Sequence, residues 1–211
     1  MTRTPYLKAD EAVARITTKI HREFRHNRLA LFDEMNIVQT KKHVDKLYKN
    51  ILKIIKSELL AVANEIYASV ADEAIEMGFD GDLGELDEAW IEEFLSQYSP
   101  VTKYVFINEI DRKKSRLFEA LVASLEERLE SYTTAENLLK RQVKQCGIEF
   151  EDDITKEVYK DFGVEKVQWV AEHDDKTCGV CNAMDGEVFE LDYAPNKLHI
   201  NCRCYLIPFE E

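Results

Sequence analysis

No stretch of the 211 residues approaches the roughly 20 consecutive apolar positions needed to cross a bilayer. The opening run Met-Thr-Arg-Thr-Pro-Tyr-Leu-Lys has no apolar segment of the kind an export signal requires, so a cytoplasmic start is expected. Positive charge is also in deficit: 28 lysines and arginines face 41 aspartates and glutamates, giving a formal charge of −13. Such a molecule as a whole repels phosphate backbones and anionic lipid, which makes direct DNA binding or membrane attachment a poor expectation and leaves room only for a local basic patch. No glycine-rich phosphate loop, nucleophile elbow, internal repeat or low-complexity linker occurs. What is present is globular material. With 45% apolar and 33% charged residues, the chain can bury a core without staples.

The apolar residues fall at helical spacing over most of the sequence. Val13, Ile16, Ile20 and Phe24 form a stripe within a helix expected from about Ala9 to Met35. Val44, Leu47, Ile51, Ile54, Ile55, Leu59, Val62, Ile66 and Val70 mark a second and longest helix, from about Thr40 to Met77. Gly78, Gly81 and Gly84 then read as a loop. Helix is expected again over Glu88 to Gln97 and from about Val101 to Tyr132, where Leu117, Leu121, Leu125 and Leu129 keep register. Thr133-Thr-Ala-Glu136 resembles a capping box opening a further helix, with Gly147 at its far end. A short acidic helix, Asp153 to Phe162, closes on Gly163.

The period then changes. Val167, Trp169 and Ala171 alternate with their neighbours as a strand does, Asp185-Gly186 is a hairpin-turn dipeptide, and Cys204-Tyr-Leu-Ile207 offers a last strand. The expected fold class is therefore mainly α: an elongated helical body over 1–163 and a small C-terminal α+β, β-hairpin module of zinc-knuckle type over 164–211. Trp169 is expected to be the core residue of that module.

Five cysteines are few, and in a reducing compartment clustered thiols point to metal or redox chemistry rather than disulfides. Cys146 stands alone on a helical pattern and reads as a small buried hydrophobe. Cys178, Cys181, Cys202 and Cys204 crowd the C-terminal region together with His199. A Cys-x-x-Cys turn lets two thiolates converge on one tetrahedral ion, and a second pair returning from downstream can close the shell. Two four-ligand schemes stand: Cys178, Cys181, His199 and Cys202, or Cys178, Cys181, Cys202 and Cys204. Either leaves a net negative charge that Lys176, Lys197 and Arg203 are close enough in sequence to offset. A shell filled by protein groups is structural, so the expected cofactor is a structural Zn²⁺ and no catalytic residue is assigned.

Enzymatic alternatives each lack a part. A zinc deaminase wants a His-x-Glu pair upstream and proline before the Cys-x-x-Cys, where this chain has His173-Asp-Asp175 and Thr177. A thioredoxin-like site wants a sustained helix after the second cysteine, which Asp185-Gly186 interrupts. A small metal-dependent, HNH-like nuclease using His173, Asn182 and His199 is the runner-up, handicapped by the acidity of the chain.

The ordered set Val167-Gln-Trp169-Val-Ala, Asp175-Lys-Thr177-Cys178-Gly-Val-Cys181, Met184-Asp185-Gly186-Glu-Val-Phe189 and His199-Ile-Asn201-Cys202-Arg203-Cys204 resembles the Mu F-like family of phage minor head, or head morphogenesis, proteins. The resemblance begins near Val164. It implies a non-enzymatic minor capsid protein present in few copies, made in the host cytoplasm and located in the virion head near the portal. Its partners would be the portal or major capsid protein, and its task head assembly or DNA packaging and delivery.

Overall fold

The computed structural model describes residues 4–29, 37–199 and 202–210. Two long helices follow from the two strongest apolar stripes. Helix α1 (Thr4–Asn27) buries Ala9, Val13, Ile16, Ile20 and Phe24, and α2 (Ile37–Glu76) buries the face from Val44 to Ala74. At 1.5 Å per residue the 40 residues of α2 span about 60 Å. The two run antiparallel: Phe24 meets Tyr48, Arg15 and Lys19 reach Glu58, and Lys8 reaches the Glu65 carbonyl. The end expected for the first helix, near Met35, falls at Asn27 instead, and residues 30–36 lie outside the described residues.

A loop leads from α2 to α3 (Glu88–Ser96), and the glycines expected there are in it. Asn64 holds the loop through both atoms of its amide, bonded to the Leu86 carbonyl and amide at 3.0 and 2.8 Å. Asp87 caps α3 by accepting from the Trp90 amide. Helix α4 (Phe106–Ala120) and helix α5 (Leu125–Asp161) complete the body.

Here the structure corrects the sequence reading. The helix expected over Val101 to Tyr132 is broken at 121–124, where Ser124 and Glu127 form a capping box that starts α5. Thr133 lies inside α5 and bonds back to the Leu129 carbonyl, while Glu136 pairs with His21 and Lys140. Gly147 ends nothing. It sits mid-helix against Val13 of α1, where a Cβ would lie 2.2 Å from Val13 Cγ2, so glycine is what lets the two helices approach. The acidic run after Asp153 belongs to the same 37-residue helix, which closes on Gly163 at φ +67°.

After Gly163 the chain forms a three-stranded antiparallel sheet, β1 (Lys166–Val170), β2 (Val188–Glu190) and β3 (Tyr205–Pro208), in the order β2-β1-β3. Val167 pairs with Phe189, and Trp169 with Leu206. Alternation puts Val167, Trp169 and Leu206 on one buried face, and Trp169 is 1% exposed, the core position expected for it. Asp185-Gly186 is a turn, with Gly186 at φ +81°, but it joins a one-turn helix α6 (Gly179–Ala183) to β2 rather than two strands. One continuous apolar cluster runs from Ala9 in α1 to Leu206 in β3, and Tyr159 of α5 donates to the Leu206 carbonyl.

Candidate metal centre

Local turns present the first two thiols. Asp174 accepts from the Lys176 amide and the Thr177 hydroxyl, closing a turn that delivers Cys178 to the start of α6. Cys178 Sγ accepts from the Cys181 amide at 3.4 Å, which places both sulfurs of the Cys-x-x-Cys on one side of the turn. Arg203 pairs with the same Asp174 and holds its carboxyl down to about 2. The hydrogen bond from the Cys181 amide is also the main reason the Cys178 thiol is drawn down to about 7, into the range where thiolate forms at neutral pH.

The second half arrives from the stretch between β2 and β3. His199 Nε2 lies 3.2 Å from Cys178 Sγ and 3.4 Å from Cys181 Sγ, and Cys181 Sγ lies 3.6 Å from Cys202 Sγ. Ligands on a tetrahedral zinc, with Zn–S about 2.3 Å and Zn–N about 2.0 Å, stand roughly 3.5 to 3.8 Å apart. The observed edges are close to that. Two triads result, Cys178–Cys181–His199 and Cys181–Cys202–Cys204, each with its ligand atoms within 4.8 Å of one another. Cys181 belongs to both. Between them the two clusters contain all five residues singled out in the sequence, and they could hold a metal ion.

Cys181, Cys202 and Cys204 are buried, and burial pushes the Cys181 and Cys204 thiols up. Buried thiols of that kind are poor isolated anions, and a cation among them would supply the missing stabilisation. The cavity they line with Glu172, Lys176 and Thr177 is about 10 Å³, the scale of one ion or one water. His173, which the nuclease alternative would place beside His199, instead pairs with Asp185 at 3.1 Å on the surface.

Two of the expected counter-charges are paired with carboxylates, although Lys197 also interacts with Cys202. Arg203 is engaged by Asp174, and Lys197 is fully buried between Glu151 and Asp152 of α5, at 3.2 and 2.8 Å. Lys197 also donates to the Cys204 carbonyl, and its own amide donates to Asp152. Nearby, Lys156 reaches the Ala194 carbonyl and Asn196, and Asn196 donates to Asp153. The segment that carries His199 and Cys202 is therefore tied to α5 through polar bonds at 194–197. Spacing alone could not reveal this. The one available signal was the run Glu151-Asp152-Asp153, because three successive acids on a helix, about 100° apart, cannot all face solvent on a helix packed on several sides.

A helical body whose last long helix buttresses a small sheet and a Cys/His cluster defines an α-rich protein with a C-terminal module that could bind a metal. Residues 117–207, from the last turn of α4 into β3, match the model of the family described as Phage Mu protein F like protein, which bears out the resemblance carried by the tail motif. That family suggests a phage head morphogenesis protein. No curated protein and no solved structure matches the chain.

Proposed function

We propose that this chain is a non-enzymatic minor head protein of a tailed phage or prophage, sited near the portal and acting in head assembly or in packaging and delivery of DNA. The observation that carries this reading is the family match over 117–207, which includes the buttressing helix, the sheet and the whole Cys/His cluster. The division of labour follows the sequence boundary at Gly163. The body, 1–163, contacts portal or major capsid subunits; the module, 164–211, holds the C-terminal region in one conformation.

The module does so around one structural Zn²⁺ drawn from Cys178, Cys181, His199, Cys202 and Cys204. Three or four thiolates with or without an imidazole suit zinc better than a hard cation, and a shell closed by protein groups leaves no position for substrate. Zinc would contribute folding free energy to the tail, since none of the ligands is preorganised in an unfolded chain.

Quantitative mass spectrometry of gradient-purified particles tests the head reading. Peptides of this chain at a few copies per particle, beside portal and major capsid protein, are the expected result. Absence from both proheads and mature particles would sink it.

A further inference from the structure

The acidity of the chain is not evenly spread. Residues 41–56 carry six lysines against Asp45 alone, so this one stretch is +5 while the rest of the chain is −18. Lys42, Lys46, Lys49 and Lys53 follow one another at spacings of four and three, which puts them on one face of α2. All four are exposed and make no ion pair with a described residue. The nearest local acid, Asp45, already faces Lys114 of α4 at 3.7 Å.

Beside this stripe runs a groove between α2 and α3. Its first part has a volume of about 400 Å³, with a floor of Leu52, Leu60 and the buried Ile91. It continues past Ser57 and Leu60 to Asn64, below Leu86. From Lys49 to Asn64 the groove is about 22 Å long, the length of a four-turn helix. Its walls differ in sign. Lys49 and Lys53 stand on the α2 side; Glu85, Asp87, Glu88 and Glu92 stand on the other, with Lys56 bridging to Glu92 at 2.5 Å.

We infer that this groove receives an amphipathic helix from a partner protein, of about 15 residues. Its apolar stripe rests on Leu52, Leu60 and Ile91, and its acidic flank faces the lysines of α2. Nucleic acid fits worse on two counts: a phosphate backbone has no use for an apolar floor, and the acidic α3 wall would repel it. The helix satisfies both walls at once, because its far flank can carry basic residues toward Glu88 and Glu92. The head-protein reading enters only as the source of the partner; the groove and its charges are independent of it.

Binding of a synthetic peptide to the full chain tests the inference. The probe is an amphipathic helix of about 18 residues with leucines at positions one, four and five of each seven-residue repeat, glutamates on one flank and lysines on the other. Expected is saturable binding by fluorescence anisotropy, weakened about tenfold in the Lys49→Glu/Lys53→Glu chain and recovered when the glutamate flank of the peptide is changed to lysine. Both replaced lysines are exposed, so the variant keeps its fold, which circular dichroism checks. Failure of the peptide to bind, or equal affinity for both chains, overturns the inference. So does tighter binding of a duplex of about 20 base pairs at the same lysines, or self-association of the chain that the double replacement abolishes. Since only peptide and chain are present, no result depends on whether the chain belongs to a phage head.

Discussion

Lys197 shows how much a single side chain can do for a site it does not join. Its ammonium is completely buried against Glu151 and Asp152, and its amide and side chain tie the backbone at Lys197 and at Cys204 to α5. Removing one partner of a buried charge group leaves the others unpaired, at a cost of about 3–5 kcal/mol. Lys197→Met should therefore lower stability by about that amount in urea unfolding, whereas replacing Lys197, Glu151 and Asp152 together with apolar residues should recover most of it. If Lys197→Met unfolds like the parent chain, the buried triad is not what holds the tail to α5. The candidate metal ligands make a separate prediction. Cys181 is common to both triads, so Cys181→Ser should abolish zinc in elemental analysis of the purified protein, while Cys204→Ser, which touches one triad only, should retain at least part of it. Chelation should expose the four clustered thiols to alkylation and leave Cys146 silent, since Cys146 is buried in the body and burial pushes its thiol well above the usual range. Cys178 and Cys181 were legible as candidates because Cys-x-x-Cys spacing is local, and His199, Cys202 and Cys204 because they crowd a second short stretch. The role of Lys197 was not, because its partners Asp152 and Glu151 lie 45 and 46 residues away, just before the short acidic helix expected from Asp153.

At the scale of elements, periodicity served where a helix packs on one broad face and failed where helices change partners. The α2 stripe ran from Val44 to Val70 in the sequence and is buried over that span, apart from the half-buried Ile54. The leucines at 117, 121, 125 and 129 kept the same spacing across a helix break. Leu117 and Leu121 are buried in α4 and its end, but Leu125 is 51% exposed, so the stripe stops being a core face at the break. The true start signal, Ser124 with Glu127 three residues on, was present but lay within an uninterrupted leucine register. Ser124→Ala should cost about 1 kcal/mol by removing that cap. Gly147 tests the α1–α5 crossing more severely. Its Cβ position overlaps Val13, so Gly147→Ala should destabilise by about 1–3 kcal/mol despite the better helix propensity of alanine. Val13→Ala should rescue it in part, and a double-mutant cycle by thermal unfolding reads the coupling. Strictly additive losses would mean that the crossing relaxes elsewhere.

For the molecule as a whole, the junction of body and tail is where charge and folding are linked. Burial lifts the Asp153 carboxyl to about 7, with Asp152 adding to the rise, and burial lifts Asp152 itself to about 6. Burial also raises Glu149 beside them, while Lys156 and the Asn196 amide pull Asp153 the other way. A carboxyl with a raised folded-state pKa binds its proton more tightly in the native chain than in the unfolded one. Its contribution to stability is therefore complete below the unfolded value near 3.8 and is lost as pH climbs through 6 to 7. Carboxyls held low, such as Glu58 by its hydrogen bond from Lys19, act in the opposite sense, but below their ordinary range. Between about pH 5 and 8 the raised group dominates, and stability should fall as pH rises. Loss of the proposed zinc in acid would run against this trend, so the comparison is made between chains at each pH, with and without chelator. Asp153→Asn keeps an acceptor for Asn196 and has no charge to desolvate. It should melt together with the parent chain at pH 5 and about 5 °C above it at pH 8. A gap that is constant across the range would show that Asp153 does not change its protonation there, and would place the pH dependence of the junction with Asp152 and Glu149.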